Sequence, residues 1–115
     1  MYYSKTNEWI DEKKGSGRVG ITKSAEKEFG EIVYVELPKI GQVVEVGEQI
    51  AVIESTKAAV DLYSPVSGTI EKVNTNLVEH PGLINLSPEK EGWIFELSLK
   101  DPNELKLCTH TSALH

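Results

Sequence analysis

The stretch Ile50-Ala51-Val52-Ile53-Glu54-Ser55-Thr56-Lys57-Ala58-Ala59-Val60-Asp61-Leu62-Tyr63-Ser64 decides the fold. Two short runs rich in Ile, Val and Leu flank a small polar group, the pattern of two strands joined by a turn. A hairpin of residues 50–54 with residues 60–64 puts Ser55-Thr56-Lys57-Ala58 at its exposed end, where an amine is accessible from most directions. Outward from Lys57 the two sides resemble each other. Backwards lie Ile53, Val52, Gly47 and Gly41; forwards lie Val60, Leu62, Gly68 and Asn74. Apolar strand, glycine turn and apolar strand recur on both sides, with Gly47 at −10 and Gly68 at +11, so Lys57 is the centre of two similar halves.

Gly, Pro and Asn punctuate the rest of the chain densely, and the segments between them are short and rich in Val, Ile, Leu and Tyr. Expected strands cover 9–10, 18–21, 32–36, 43–46, 50–53, 60–63, 68–73 and 93–99. Two stretches read as helical. Thr22 or Ser24 caps a short turn on which Ala25 and Phe29 share a face, and Gly30 supplies a left-handed stop. Asn74-Thr75-Asn76-Leu77 opens a second short segment that ends near His80-Pro81. The fold class is all-β, two flattened sheets packed face to face with short helical segments. A single domain over 1–115 is expected, with a brief helical start and a frayed tail from about residue 101.

Composition narrows the function. Lys+Arg 12 against Asp+Glu 18 gives a net charge of −6 over 115 residues, which argues against a nucleic-acid binder. No apolar run approaches the roughly 20 residues that span a bilayer, so no membrane role is expected. Cys108 stands alone, which excludes an internal disulfide framework, and His80, His110 and His115 have no metal-ligand spacing. The first nine residues lack the features of a signal or transit peptide, and the cytoplasm is the expected compartment.

Several candidate sites fail on inspection. Gly15-Ser16-Gly17-Arg18-Val19-Gly20 is a formal G-x-G-x-x-G, but only about eight residues separate Thr22 from Gly30, too few for the crossover helix of a dinucleotide fold. Lys13-Lys14-Gly15-Ser16-Gly17 reads as a hairpin turn instead. Cys108 has only His110 as a nearby basic helper, and a thiol without an activating environment is inert. Trp9 and Trp93 are expected in the core on size alone. A lysine at a hairpin tip is ordinarily a solvated charge, so its flanks must decide its role.

Those flanks carry a resemblance. Val19-Gly20-Ile21-Thr22, Phe29-Gly30-Glu31-Ile32-Val33-Tyr34-Val35-Glu36-Leu37-Pro38, Glu54-Ser55-Thr56-Lys57-Ala58-Ala59, Asp61-Leu62-Tyr63-Ser64-Pro65-Val66-Ser67-Gly68, Pro81-Gly82-Leu83-Ile84-Asn85 and Gly92-Trp93 follow one another over roughly residues 2 to 105. In order and spacing they resemble the H-protein family of the glycine cleavage system. The resemblance implies a lipoyl-domain-like barrel-sandwich hybrid whose hairpin lysine, here Lys57, carries covalent lipoate. It implies a carrier with no catalytic residue of its own, which moves an aminomethyl group and reducing equivalents on its arm. The implied partners are glycine decarboxylase, aminomethyltransferase, dihydrolipoamide dehydrogenase and a lipoate-attaching enzyme, and the implied state is a monomer. Thr6, Glu8 and Asp61 match family positions along the cleft where the loaded arm rests, where a carboxylate could pair with a cationic amine.

Departures from the family pattern are local. Asn7 stands where the family has His before Glu-Trp, Glu89 replaces a common Tyr, and the tail after Asp101-Pro102-Asn103-Glu104 is short. An alternative carrier role shares Lys57: lipoate relay to 2-oxoacid dehydrogenases. A biotin carrier is disfavoured because Thr56 and Ala58 flank the lysine where methionines are typical. A nucleotide-dependent oxidoreductase fragment built on Gly15, Gly17 and Gly20, and a plain interaction module with an unmodified Lys57, are the rivals from other classes.

Overall fold

A computed structural model describes residues 1–108. Nine strands form two sheets. The larger has the order β1-β2-β3-β9-β8-β5, built from β1 (Tyr2–Tyr3), β2 (Glu8–Lys13), β3 (Ser16–Ile21), β9 (Phe95–Leu99), β8 (Gly68–Val73) and β5 (Val43–Val44). The smaller has the order β4-β6-β7, from β4 (Ile32–Glu36), β6 (Gln49–Ser55) and β7 (Ala59–Tyr63). All pairings are antiparallel. Ile10, Val19, Ile21 and Leu97 of the larger sheet pack in one core with Val35, Ile53 and Leu62 of the smaller. Each such fully buried side chain contributes roughly 1.5–3 kcal/mol of apolar transfer.

Short helices close the core. In α1 (Lys23–Phe29) the Thr22 hydroxyl accepts from the Ala25 N–H at 3.2 Å, which satisfies one orphan donor of the first turn. The helix stops at Gly30, whose φ of +79° is positive as expected, although its ψ of −154° makes the stop extended rather than left-handed helical. α2 (Asn76–Glu79) and α3 (Leu83–Leu86) insert Leu77 and Ile84, both fully buried. A 3-10 helix, Pro102–Leu107, is clamped by Glu104, whose carboxylate accepts from the Ser67 N–H at 2.7 Å and the Ser67 hydroxyl at 2.9 Å. The tail from residue 109 lies outside the described residues.

The two halves about Lys57 are real. β6 pairs with β7 in one sheet, and β5 pairs with β8 in the other. The chain changes sheet between β5 and β6 and again between β7 and β8, and the Gly47 N–H donates to the Ser64 carbonyl where these turns meet. The G-x-G-x-x-G run is the β2–β3 hairpin, as expected: Lys14 and Gly15 both have positive φ at its turn, the geometry of a two-residue connection. Three expectations need correction. The last strand begins at Phe95 rather than at residue 93. β5 ends at Val44 rather than at residue 46, because Glu45–Glu48 close a turn. Trp93 is not in the core. It is half-buried just before β9, where its backbone N–H donates to the Lys90 carbonyl, and the Arg18 guanidinium lies 4.4 Å from the ring centroid. Trp9 is buried as expected, its indole N–H donating to the Pro88 carbonyl at 2.9 Å.

Candidate functional site

Lys57 stands exposed at the end of the β6–β7 hairpin, in the four-residue turn 55–58. The turn is held by one small side chain. Ser55 Oγ accepts from the Lys57 N–H at 3.1 Å and from the Ala58 N–H at 3.2 Å, while the Ser55 N–H donates to the Ala58 carbonyl at 2.8 Å. The N–H groups of Ser55, Lys57 and Ala58 are thus satisfied without the lysine side chain. Among the described residues the Lys57 ammonium makes no ion pair and no hydrogen bond.

The tip does not stand free of the body. The Thr56 N–H donates to the Glu31 carbonyl at 3.0 Å, which ties the residue before Lys57 to the loop after α1. Asn85 of α3 fixes that loop. Its Oδ1 accepts from the Ile32 N–H at 2.9 Å, and its Nδ2 donates to the Gly30 carbonyl and to the Glu26 carboxylate, both at 2.8 Å. Asn85 thereby brackets Glu31 on both sides, and Glu31 holds the tip. The lysine methylenes run beside Gly30: a Cβ there would lie 3.4 Å from Lys57 Cε and 3.8 Å from its Nζ.

Glu8 and Thr6 lie elsewhere. Glu8 begins β2 and is only 1% exposed. One carboxylate oxygen accepts from the Ser4 and Thr6 hydroxyls, the other from the Tyr63 N–H at 3.2 Å, and the Glu8 N–H donates back to Ser4 Oγ at 3.0 Å. Burial pushes the Glu8 carboxyl above its ordinary pKa, and these donors pull it partly back. Because Tyr63 ends β7, Glu8 meets the hairpin at the end opposite Lys57, on the order of 15–20 Å along the strand at ~3.3 Å per residue. Asp61 lies between them, exposed on β7 opposite Val52, and strand alternation puts it on the same face as Tyr63. Thr6 and Glu8 are therefore in contact, and β7 runs from Lys57 past Asp61 to them.

The departures from the family pattern fit their places. Asn7 has φ +75°, a left-handed conformation that Asn tolerates better than most residues, and its carbonyl accepts from the Thr22 N–H. Glu89 accepts from the Lys23 N–H at 3.1 Å and from the Tyr3 hydroxyl at 3.4 Å. Tyr3 is pushed above its usual pKa by burial first and by Glu89 second. Cys108, half-buried beside Thr6 and Tyr63, is likewise raised, by burial and then by the charge of Glu8, which disfavours the thiolate.

Sequence reasoning missed Glu31, Ser55 and Asn85 as the supports of the tip. Asn85 closes the Pro81-Gly82-Leu83-Ile84-Asn85 block, which was quoted only as a matching segment.

A family model described as "Glycine cleavage H-protein" matches residues 1–114. The "Glycine cleavage system H protein" of Methylacidiphilum infernorum is 50% identical over 103 residues, covering 90% of this chain and 80% of that protein. The protein of the same description from Thermotoga maritima is 47% identical over 104 residues, covering 90% and 84%. Among solved structures, the crystal structure of a glycine cleavage system H protein from Mycobacterium marinum superposes with a TM-score of 0.83 at 38% identity, covering 86% of this chain and 83% of that one.

Proposed function

The chain belongs to the glycine cleavage H-protein family, and from that premise we propose that Lys57 is its single site of covalent lipoate attachment. The protein is a lipoyl carrier of the glycine cleavage system and not an enzyme. It works with the other components of that system. Our reading of the partners is that glycine decarboxylase, aminomethyltransferase and dihydrolipoamide dehydrogenase each act on the arm, that a lipoate-attaching enzyme installs it, and that this happens in the cytoplasm with the carrier as a monomer. No helix among the described residues is long and apolar enough to cross a membrane.

The observation that carries the assignment is the state of Lys57. An exposed amine with no competing partner, on a turn whose backbone is already satisfied, can become an amide without loss of any structural contact. When bound, lipoate supplies a readily reduced cyclic disulfide, so the redox chemistry belongs to the group and not to the chain. The chain's residues hold and orient. Ser55 keeps the turn closed, and Glu31 restrains Thr56, so an enzyme meets one presentation of Lys57. At the other end of β7 we assign Asp61, Thr6 and Glu8 to the cleft that receives the cationic form of the load, the carboxylates supplying charge and the Thr6 hydroxyl orientation.

Intact mass and peptide mapping after co-expression with a lipoate-attaching enzyme test the assignment. One lipoyl adduct on Lys57 is expected, and none on Lys57→Arg. Because the side chain is exposed and unpartnered, that variant melts with a stability change within about 0.5 kcal/mol of the parent. An adduct on any other lysine overturns the assignment.

A further inference from the structure

The hairpin tip opens on a second feature to which the carrier role assigns nothing. Immediately beside Glu31 lies a groove of about 810 Å³, the largest of the described surface cavities, between the start of β4 and the turn leading into α3. Ile32, Pro81, Leu83 and Leu86 give it a mainly apolar lining, with Asn85 at its base and Glu31, Glu79 and His80 among its polar groups. Leu86 is 83% exposed, the most exposed of the large apolar side chains described, on a helix whose opposite side buries Ile84 completely.

We propose that this groove is the resting place of the uncharged, disulfide form of the arm on Lys57. The inference rests on the assignment of Lys57 as the lipoylated residue. Three observations lead to it. The Lys57 methylenes already lean toward Gly30, the neighbour of groove residue Glu31. The Thr56 N–H is bonded to Glu31 itself, so the lysine and the groove mouth are fixed relative to one another. The lining is apolar and suits an amide-linked acyl chain with a dithiolane end, which has no charge to satisfy and gains by leaving water. The Glu8 carboxylate with its hydroxyl and N–H donors offers the opposite environment at the far end of β7. The two ends of the hairpin thus sort the arm by charge: apolar groove for the uncharged arm, carboxylates for the cationic load. No covalent step is involved in the change of place.

The test is two-dimensional 1H–15N NMR on the full chain, unmodified and lipoylated, with the adduct on Lys57 verified by mass. The groove predicts amide shift changes clustered at Ile32 and residues 83–86, with nuclear Overhauser contacts from arm methylenes to the Leu83 and Leu86 methyls. Leu86→Ser, an exposed substitution that leaves the fold intact, should abolish the Leu86 contacts and reduce the shifts at Leu83 and Asn85. Shifts confined to residues 55–58 mean an arm free in solvent, and shifts clustered at Thr6 and Tyr63 mean that the uncharged arm shares the far site; either overturns the groove. Absence of any adduct on Lys57 overturns the attachment assignment instead, and is read by mass before the spectra are taken.

Discussion

Removing the Asn85 side chain is the sharpest test of how the tip is held. Asn85→Ala deletes three hydrogen bonds at once: from Ile32 N–H, to Gly30 C=O and to the Glu26 carboxylate. Ile32 is only 2% exposed, so its N–H loses its partner in a place water reaches poorly, at about 1–3 kcal/mol. Gly30 and Glu26 are half-buried and regain water, so their loss adds about 1 kcal/mol together. The sum is roughly 2–4 kcal/mol, which for a chain of this size lowers the melting temperature by roughly 8–16 °C. Asn85→Asp separates geometry from charge. It keeps an acceptor for Ile32 but cannot donate to Gly30, and it sets a second carboxylate against Glu26. Its melting temperature should fall at least as far at neutral pH and recover on acidification. Asn85→Ala removes the bracket of the Glu31 carbonyl on both sides and Asn85→Asp on the Gly30 side alone, so kcat/KM for lipoate attachment at Lys57 should fall several-fold in Asn85→Ala, mostly through KM, and less in Asn85→Asp, at a temperature where both are folded. Differential scanning calorimetry and a mass-based attachment assay read the two effects. An Asn85→Ala protein melting within about 2 °C of the parent refutes the reasoning, because the bracket would then be idle.

Glu8 gives a pH dependence of definite sign. Its folded carboxyl is held above the ordinary value, so the folded protein keeps that proton to higher pH than the unfolded chain does. Its contribution to stability is therefore greatest below the ordinary carboxylate pKa, falls as pH rises toward the raised value, and stays lost above it. Urea titrations across pH should show Glu8→Gln lacking this fall, whatever its absolute stability; parallel curves for the two proteins sink the idea. Gly68→Ala should fail to fold or lose several kcal/mol, because a Cβ there would meet the Ser98 carbonyl oxygen at 1.9 Å in the β8–β9 ladder; circular dichroism reads this. Cys108 should alkylate with iodoacetamide at pH 7 at least tenfold more slowly than in the unfolded chain, since burial disfavours the thiolate; equal rates contradict the placement.

The parts of the fold legible in the sequence were the local ones. The β6–β7 hairpin, the Thr22 cap, the turn at Lys14-Gly15 and the end of α2 before Pro81 are each specified within a few neighbouring residues. β1 and α3 were missed because two and four residues are too short to show a period. Size predicts burial of Trp93 on average, whereas here its ring is half-buried under the Arg18 guanidinium, a contact across 75 positions that no local pattern records. For the site, Lys57 was legible from the strands that flank it. Its supports were not, because Asn85 reaches Ile32 and Gly30 across more than fifty residues, and no local pattern records a contact of that separation.

The crowding around Glu8 has a consequence for release. Its oxygens already receive two hydroxyls and one N–H, so a cation arriving there does not find a vacant carboxylate. One acceptor position is left, on the oxygen that Tyr63 N–H shares, and a second contact must displace a hydroxyl from the other oxygen. Those hydroxyls belong to Ser4 and Thr6, in a turn whose Lys5, Thr6 and Asn7 are exposed and which can re-form its bonds when the cation leaves. Any contact beyond the one remaining acceptor position is therefore an exchange of donors, and only the difference between them adds to the hold. On the proposed assignment of Glu8 to the cleft of the loaded arm, so shallow a hold favours release of the load over its retention.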